Sequence, residues 1–361
     1  MRISCPVLAT QGTAFSERCE CRFLKKGARG RLIFAFPRQS IAMQIITVKR
    51  NDAGQRLDKF LSKAVKGLPM SLMYKYIRTK KIKVNRARTQ QNYVLCEGDE
   101  IQLFIRDEFF ASPEADNGAL FRILPKLNIV YEDAHIMLLN KRPGVLVHED
   151  TAAAENTLIM HVKAYLAQKG EYAPASEQSF APALCNRIDR NTGGIVIAAK
   201  DAEALREMNE KIRNDELRKT YLCAVHGVPK KKQATLTGYL KKNSDENMVD
   251  VSDERRPGYK EIITKYRVLK EKGGNALLEV ELVTGRTHQI RAHLSHIGHP
   301  LLGDGKYGVN RADREKGYKY QALYAFRLSF KETERDGVLK YLEGKHFEID
   351  RDGIWFLKDF Y

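Results

Sequence analysis

The segment Cys185-Asn186-Arg187-Ile188-Asp189-Arg190-Asn191-Thr192-Gly193-Gly194, followed by Ile195-Val196-Ile197-Ala198-Ala199-Lys200, constrains this chain more than any other stretch. The apolar run reads as a buried strand, and Asn-Thr-Gly-Gly before it as a tight turn. A turn at a strand's mouth presents one side chain to a cleft while the strand holds its base rigid. Here that side chain is Asp189, a single carboxylate between Arg187 and Arg190. Neighbouring cations favour the charged form of a carboxylate. A charged, positioned carboxylate suits a nucleophile or a general base. On these residues alone, a surface turn stitched by Arg–Asp pairs fits equally well.

A chain of 361 residues accommodates two domains and a well-buried core. Lys and Arg number 62 against 45 Asp and Glu, a net charge of +17. Such an excess favours a polyanionic partner, nucleic acid first and an anionic membrane surface second. No run approaches the length of apolar sequence that spans a bilayer, so no segment is expected to cross a membrane; with nucleic acid preferred, no membrane partner is expected. Cys5, Cys19, Cys21, Cys96, Cys185 and Cys223 form no C-x-x-C framework. They read as reduced thiols of a cytoplasmic protein.

Residues 1–42 are rich in arginine and lysine, hold only Glu17 and Glu20 as acids, and keep no period. A transit peptide is one reading. The preferred one is an unstructured or spurious N-terminal extension, with Met43 the natural start. From there a small module spans 43–105. Ile46 and Val48 alternate as a strand. Leu57, Phe60, Leu61, Ala64 and Val65 then mark one face of a helix. A second helix carries Leu72, Met73, Tyr76 and Ile77, with Ser71 as its expected N-cap. Ile82 and Val84 read as a strand, Glu97-Gly98-Asp99 as a turn, and Ile101, Leu103 and Ile105 as a closing strand.

Charge is the informative feature of this module. No acidic residue lies between Lys59 and Cys96, whereas Lys59, Lys63, Lys66, Lys75, Arg78, Lys80, Lys81, Lys83, Arg86 and Arg88 do. A one-sign face on a folded helix pair tracks a phosphate backbone. The order Arg56-Leu57-Asp58-Lys59-Phe60-Leu61, Ile77-Arg78 and Lys83-Val84-Asn85 resembles the S4 RNA-binding domain. By that resemblance Arg56, Lys75, Arg78, Lys81 and Lys83 are expected to contact RNA. Arg86 stands where the family usually has a small residue.

Residues 106–121, with Ser112-Pro113 and Asp116-Asn117-Gly118, read as a linker. Strands at 129–133 and 136–141 follow, then Arg142-Pro143-Gly144, and a helix around Thr157 to Lys169. Beyond the Asp189 turn, Asp201 caps a helix that turns Leu205, Met208 and Ile212 inward. Thr220 to His226 is a strand. Lys230-Lys231-Lys232 and the polar stretch from Lys241 to Arg256 read as loops. Leu278, Val280 and Leu282 alternate with Glu279 and Glu281 on a half-exposed strand. A helix from Thr287 to His296 ends at Gly298. Residues 332–361 form an aromatic and charged C-terminal segment without an assigned role.

Read together, Arg187-Ile188-Asp189-Arg190, Thr192, Gly194 and Ala199-Lys200 resemble the catalytic loop of the RluA-type pseudouridine synthases. Lys219-Thr220-Tyr221-Leu222 and Thr284-Gly285-Arg286-Thr287-His288-Gln289-Ile290-Arg291 match that family in order, continuing through Gly303-Asp304 to Tyr307-Gly308. The resemblance implies a catalytic domain over 122–331. Its fold class is α+β, a central mixed and mostly antiparallel sheet flanked by helices, joined to the small S4-like α/β RNA-binding domain.

The reaction it implies breaks the bond from ribose C1′ to uracil N1 and rejoins the base through C5. No group is added, so no cofactor and no metal are expected. The resemblance makes Asp189 the catalytic carboxylate, Arg291 its partner in the cleft, and Tyr221 the residue that stacks on uracil. Arg187 would hold the flipped nucleotide, and Arg286 and His288 would contact RNA. It further implies a monomer acting on large-subunit ribosomal RNA, with transfer RNA the second choice. Asn186 replaces a customary histidine, and Gly193 a common serine.

Two other readings compete. His288, His293, His296 and His299 suggest a metal-dependent RNA hydrolase, although no H-E-x-x-H occurs. The substitutions at Asn186 and Gly193 suggest a non-catalytic RNA-binding or ribosome-assembly protein on the same fold.

Overall fold

The computed structural model describes residues 43–110, 118–147, 156–243, 248–308 and 310–361. The extension 1–42 and the centre of the expected linker, 111–117, lie outside the described residues.

The first unit comprises β1 (Met43–Thr47), α1 (Leu57–Ala64), α2 (Met70–Arg78), β2 (Ile82–Val84), β3 (Ala87–Arg88) and β4 (Glu100–Phe104). Its strands form an antiparallel sheet in the order β1-β4-β2-β3. The helical spacing of Leu57, Phe60 and Leu61 turns all three, fully buried, into one core with Met73, Ile77, Ile101 and Leu103. Each such side chain contributes about 1.5–3 kcal/mol of burial. Ser71 is not the cap of α2. Pro69 holds that position and no side chain caps the helix. A proline has no N–H to satisfy there, and its fixed φ favours helix entry.

Asn85 and Arg86 join β2 to β3 with φ of 49° and 65°, the backbone of a type I′ hairpin turn. Asn85 suits it. Its Nδ2 donates to buried Asp99 at 2.8 Å, and its Oδ1 accepts the Glu100 N–H at 2.9 Å. Arg86 adopts the left-handed region without such ties, so the departure at this position leaves the turn in place but strained.

The second sheet follows a short helix, α3 (Ala119–Arg122), which buries Leu120 within the stretch read as linker. Its elements are β5 (Ile129–Glu132), β6 (Ile136–Lys141), α4 (Leu158–Gln168), β7 (Ala183–Leu184), β8 (Gly193–Ala199), α5 (Ala202–Arg213) and β9 (Leu217–His226). They continue with β10 (Gln233–Asn243), β11 (Met248–Ser252), β12 (Lys260–Lys272), β13 (Asn275–Leu282), α6 (Gln289–His296), α7 (Asn310–Glu315), β14 (Leu323–Phe330) and β15 (His346–Glu348). The order is β11-β10-β12-β13-β9-β14-β8-β6-β5, with β15 on β14 and β7 on β8. All of these neighbours run antiparallel except β14 and β8. The sheet is mixed and mostly antiparallel.

Strand β8 is buried along its whole length. Ile195 and Ile197 face one core cluster, while Val196 and Ala198 face Leu158, Val162 and Leu166 of α4. Covering both faces is what makes its sequence a continuous apolar run. At the parallel junction Tyr324 lies opposite Gly193 and Ala325 opposite Gly194. A Cβ on Gly193 would sit 2.3 Å from the Tyr324 ring, and one on Gly194 2.2 Å from the Ala325 carbonyl oxygen. Two glycines let the strands meet where the loop carrying Asp189 enters the sheet.

Two expectations change. The polar stretch from Lys241 to Arg256 is no loop: it holds the end of β10 and the whole of β11, an antiparallel hairpin. These strands lie at the sheet's edge, where one flank is solvent and charged residues are favoured. The C-terminal segment is part of the main core. Leu339, Leu342, Ile349, Ile354, Phe356, Leu357 and Phe360 pack with Ile136, Leu138, Ile195 and Phe326.

The first unit meets the second through a polar seam. Gln55 Nε2 donates to Ser179 Oγ at 2.7 Å, Asn51 Nδ2 to Glu177 Oε1 at 3.2 Å, and Gln178 Nε2 to the Thr47 carbonyl at 2.9 Å.

Candidate active site

The loop between β7 and β8 is tied down on both sides of Asp189. Asn186 Oδ1 accepts the Ile197 N–H at 2.8 Å, so the residue replacing histidine satisfies a backbone donor of β8. The Asp189 carbonyl accepts the Thr192 N–H at 3.0 Å. The Arg190 carbonyl accepts from Gly144 N–H at 2.9 Å and from Lys141 Nζ at 2.8 Å. Arg190 is no partner of Asp189. Its Nε donates to the Gly144 carbonyl at 3.1 Å, clamping the two turns together.

Lys141 is almost fully buried and also donates to the carbonyls of Arg142 and Val145, at 3.2 and 2.9 Å. Burial pushes its ammonium down to about 7, while the nearby Asp189 charge opposes that fall.

The cation that meets Asp189 comes from α6. Arg291 Nη1 donates to Asp189 Oδ2 at 2.7 Å, while its Nε and Nη2 bind the two oxygens of Asp304 at 2.7 and 2.8 Å. Asp304 is fully buried and Arg291 nearly so. Burial disfavours both charges. Mutual hydrogen bonding overcomes it, holding the guanidinium charged and the Asp304 carboxyl below the usual carboxylate range. Asp189 keeps 27% of its side-chain surface exposed, so the charged pair opens on solvent at one point.

Tyr221 lies on β9 opposite Ala325, which is itself opposite Gly194 at the parallel junction. Burial, reinforced by Asp189, pushes its phenol well above the ordinary range, so it stays protonated. His288 stands just ahead of α6 in the left-handed region, φ 52°. Its Nε2 is 3.9 Å from Asp189 Oδ2. Burial, with the Asp189 charge opposing, holds its imidazole below the usual range, and the ring is neutral at physiological pH. One carboxylate thus has a fixed guanidinium at 2.7 Å and a neutral imidazole at 3.9 Å, beside a protonated phenol that feels the Asp189 charge. Burial pushes the Cys185 thiol up to about 12, so it is no competing nucleophile.

Comparison with known proteins shows the family. The family described as RNA pseudouridylate synthase matches residues 135–296, and the S4 domain matches residues 55–101. The chain is 33% identical over 302 residues to Ribosomal large subunit pseudouridine synthase C of Escherichia coli (strain K12), covering 80% of this chain and 89% of that one. The chain belongs to the RNA pseudouridylate synthase family. A second relative, the protein of the same name from Salmonella typhi, is 32% identical over 312 residues, covering 83% of this chain and 92% of that one. Human RNA Pseudouridylate Synthase Domain Containing 4 shares the fold, with a TM-score of 0.50 and 21% identity over 67% of this chain and 94% of that one. This RNA pseudouridine synthase has no helix among its described residues long and apolar enough to cross a membrane.

The structure gathers Arg291 and His288 on Asp189 and sets Tyr221 within reach of its charge, while Arg187 and Arg286 are exposed on the loops that carry Asp189 and precede α6. The remaining expected RNA contacts lie on the S4 unit. Lys75 and Arg78 are exposed on α2. Arg56 is committed to Asp58, with Nε and Nη2 at 3.1 and 2.6 Å from its oxygens. The ammonium of Lys81 rests over Tyr76 and that of Lys83 over Phe104, 5.1 and 5.5 Å from the ring centroids.

The histidines do not converge as ligands. His293 is buried and bonds Thr264 Oγ1 at 3.0 Å, whereas His296 pairs with Asp253 at 3.0 Å. Sequence reasoning missed the parts played by Asp304, Lys141 and Tyr307. A lone aspartate after Gly303 gives no sign that it grips an arginine thirteen residues earlier. Nor does a lysine at the end of an apolar strand show that its ammonium is buried and tied to the Asp189 loop.

Proposed function

We propose that this enzyme isomerises uridines to pseudouridine in large-subunit ribosomal RNA, with Asp189 as the reacting carboxylate. The observation that carries the reading is the chain Asp304–Arg291–Asp189, a buried ion pair that fixes a third, partly exposed carboxylate. Arg291 takes one lone pair of Oδ2, so Oδ1 is the oxygen left to react at the sugar. It acts as nucleophile at C1′ or as base at an adjacent C–H. In either case the C1′–N1 bond breaks, the base turns, and C5 bonds to C1′ as its proton leaves.

Tyr221 stacks on the uracil. A phenol that begins protonated enters the cycle as a donor, so any proton it takes from C5 follows a proton it has given. Arg187, exposed beside Asp189, holds the flipped nucleotide, its planar guanidinium suiting both phosphate and base. Lys75 and Arg78 on α2, with Arg286 at the cleft, track the RNA backbone. A monomer acting in the cytoplasm belongs to the same reading. Ribosomal RNA is preferred over transfer RNA because relatives that share most of this chain's length carry a ribosomal name.

The test is release of tritium from uracil C5, offered as unmodified large-subunit ribosomal RNA and as bulk transfer RNA, with wild type and Asp189→Asn. Release from ribosomal RNA that vanishes in the variant supports reaction, carboxylate and substrate together. Release from transfer RNA alone moves the substrate. Activity retained by the variant removes Asp189 from its role.

A further inference from the structure

The imidazole of His288 has one nitrogen on Tyr307 and the other toward Asp189. Its Nδ1 lies 2.9 Å from Tyr307 Oη, and the two rings meet edge to face at 5.7 Å. Tyr307 Oη already accepts the Val249 N–H at 2.9 Å. With that acceptor position filled, the phenolic proton is donated to His288 Nδ1, and the imidazole proton resides on Nε2.

Tyr307 is itself immobile. Its N–H reaches Asp304 Oδ1 at 3.2 Å, its carbonyl accepts from Ser295 Oγ at 2.8 Å, and the Arg291 guanidinium lies 5.2 Å from its ring centroid. The side chain that sets the tautomer therefore also touches the residue that holds Asp189.

The Nε2–H and Asp189 Oδ2 stand 3.9 Å apart, too far for a hydrogen bond to each other. They are close enough for one hydroxyl group to bond both. A hydroxyl between them would accept from a neutral nitrogen donor and donate to a carboxylate. A target uridine brings such a group next to its reacting carbon, the ribose 2′-hydroxyl. We infer that His288, with its tautomer set by Tyr307, reads the 2′-hydroxyl of the target uridine and thereby restricts the enzyme to ribonucleotides. Resting on the reading of Asp189 as the carboxylate at the ribose, it adds a second recognition element beside it. A 2′-hydroxyl can donate and accept at once, which a deoxynucleotide cannot imitate. The backbone strain at His288, a non-glycine residue at φ 52°, fits a side chain held for recognition.

The test couples a substrate change to a protein change. A target uridine is first mapped in ribosomal RNA treated with wild type, and a synthetic hairpin carrying it is made with and without its 2′-hydroxyl. Wild type is expected to lose about 10- to 100-fold in kcat/KM on the deoxy hairpin, the worth of an unmet polar contact. His288→Ala should lose a similar factor on the all-ribose hairpin, with its deoxy penalty at least about five-fold smaller than that of wild type. His288→Gln, whose amide N–H reaches a similar position, should recover most of the loss. Tyr307→Phe keeps the ring and loses the tautomer lock, so it should lower kcat more than it raises KM.

Deoxy penalties that differ by less than about five-fold between wild type and His288→Ala overturn the inference. Should His288→Ala fail a thermal melt, His288→Asn takes its place, being too short to reach. Asp189→Asn is run alongside: if it stays active the underlying reading fails, whereas equal penalties with an inactive Asp189→Asn sink the His288 inference alone. Nitrogen NMR of histidine-labelled enzyme gives a separate check, since a proton on Nδ1 of His288 would also overturn it.

Discussion

Asp304 grips Arg291 with both carboxylate oxygens, 2.7 and 2.8 Å from Nε and Nη2. One guanidinium nitrogen remains to point at Asp189, and the grip decides where it points. Asp304 also accepts the backbone N–H groups of Lys306 and Tyr307 at 2.9 and 3.2 Å, so its own position is set by the turn that follows it. Asp304→Asn preserves the shape and removes the charge. It leaves Arg291 buried with half its compensation. We expect turnover to fall about 100-fold and unfolding free energy to drop by about 3 kcal/mol, the scale of a broken buried pair. Tritium release and urea titration measure the two effects. An Asp304→Asn enzyme with wild-type turnover would show that Asp189 needs no such brace.

The buried ammonium of Lys141 gives a pH prediction. Burial brings it down to about 7, and it donates to three carbonyls, two in the Arg142–Val145 turn and one at Arg190. An ammonium has three N–H donors and an amine has two. As pH rises through about 7 the clamp beside Asp189 loses one donation, so kcat should decline on the alkaline side. Stability moves the other way. Between pH 7 and the ordinary lysine range the unfolded state binds the proton that the folded state has released, so this group adds stability as pH rises. Lys141→Met should remove the alkaline decline from kcat and flatten that part of the stability profile. An alkaline limb that persists in Lys141→Met belongs to another group.

How far the sequence reached is clearest at these same residues. The apolar run of β8 and the helical spacing of Leu57, Phe60 and Leu61 are local patterns, and local patterns survive folding because one face or one strand carries them. Asp189, Arg291 and Tyr221 were found through motif order, and the structure does bring them together. Asp189 and Arg291 are 102 positions apart in the chain, and no periodicity could pair them. Arg190 shows the same limit: it neighbours Asp189 in sequence, yet its guanidinium is spent on the Gly144 carbonyl. The C-terminal segment hid its role because its core residues sit in or just beside 3₁₀ turns and a three-residue strand, too short to establish any period.

Arg86 offers a trade between stability and binding. Its φ of 65° places a side-chain residue where a type I′ turn favours glycine. The left-handed region costs such a residue about 1–2 kcal/mol, and glycine returns part of that through its freer unfolded chain. Arg86→Gly should therefore raise stability by about 0.5 kcal/mol, read as a small rise in Tm. Removing one exposed cation from the basic face should also reduce the slope of log binding constant against log salt by about 1, if that cation meets a phosphate. An unchanged salt slope would take Arg86 out of the RNA interface and leave the turn as its only role.

The last prediction concerns residues 332–361. Leu339, Leu342, Ile349, Ile354, Phe356, Leu357 and Phe360 are all buried there. At about 1.5–3 kcal/mol each, their burial is worth roughly 10–20 kcal/mol. The net stability of a whole domain is about 5–15 kcal/mol. Ending the chain after Lys331 would strip that cover from Phe326 and Leu328 of β14, and from Ile136 and Leu138 of β6 beyond it. It would also remove Glu343, which lies 3.4 Å from the buried ammonium of Lys211 on α5. Lys211 would keep Glu207 and Glu216 at 3.7 and 3.6 Å but lose the carboxylate it hydrogen-bonds. Because β14 forms the parallel junction with β8, damage here reaches the loop that carries Asp189. We expect the shortened protein to be insoluble, or to bind a hydrophobic dye and lose its cooperative thermal transition. A soluble truncated enzyme with a sharp melt and normal tritium release would mean that the second sheet closes its core without this segment.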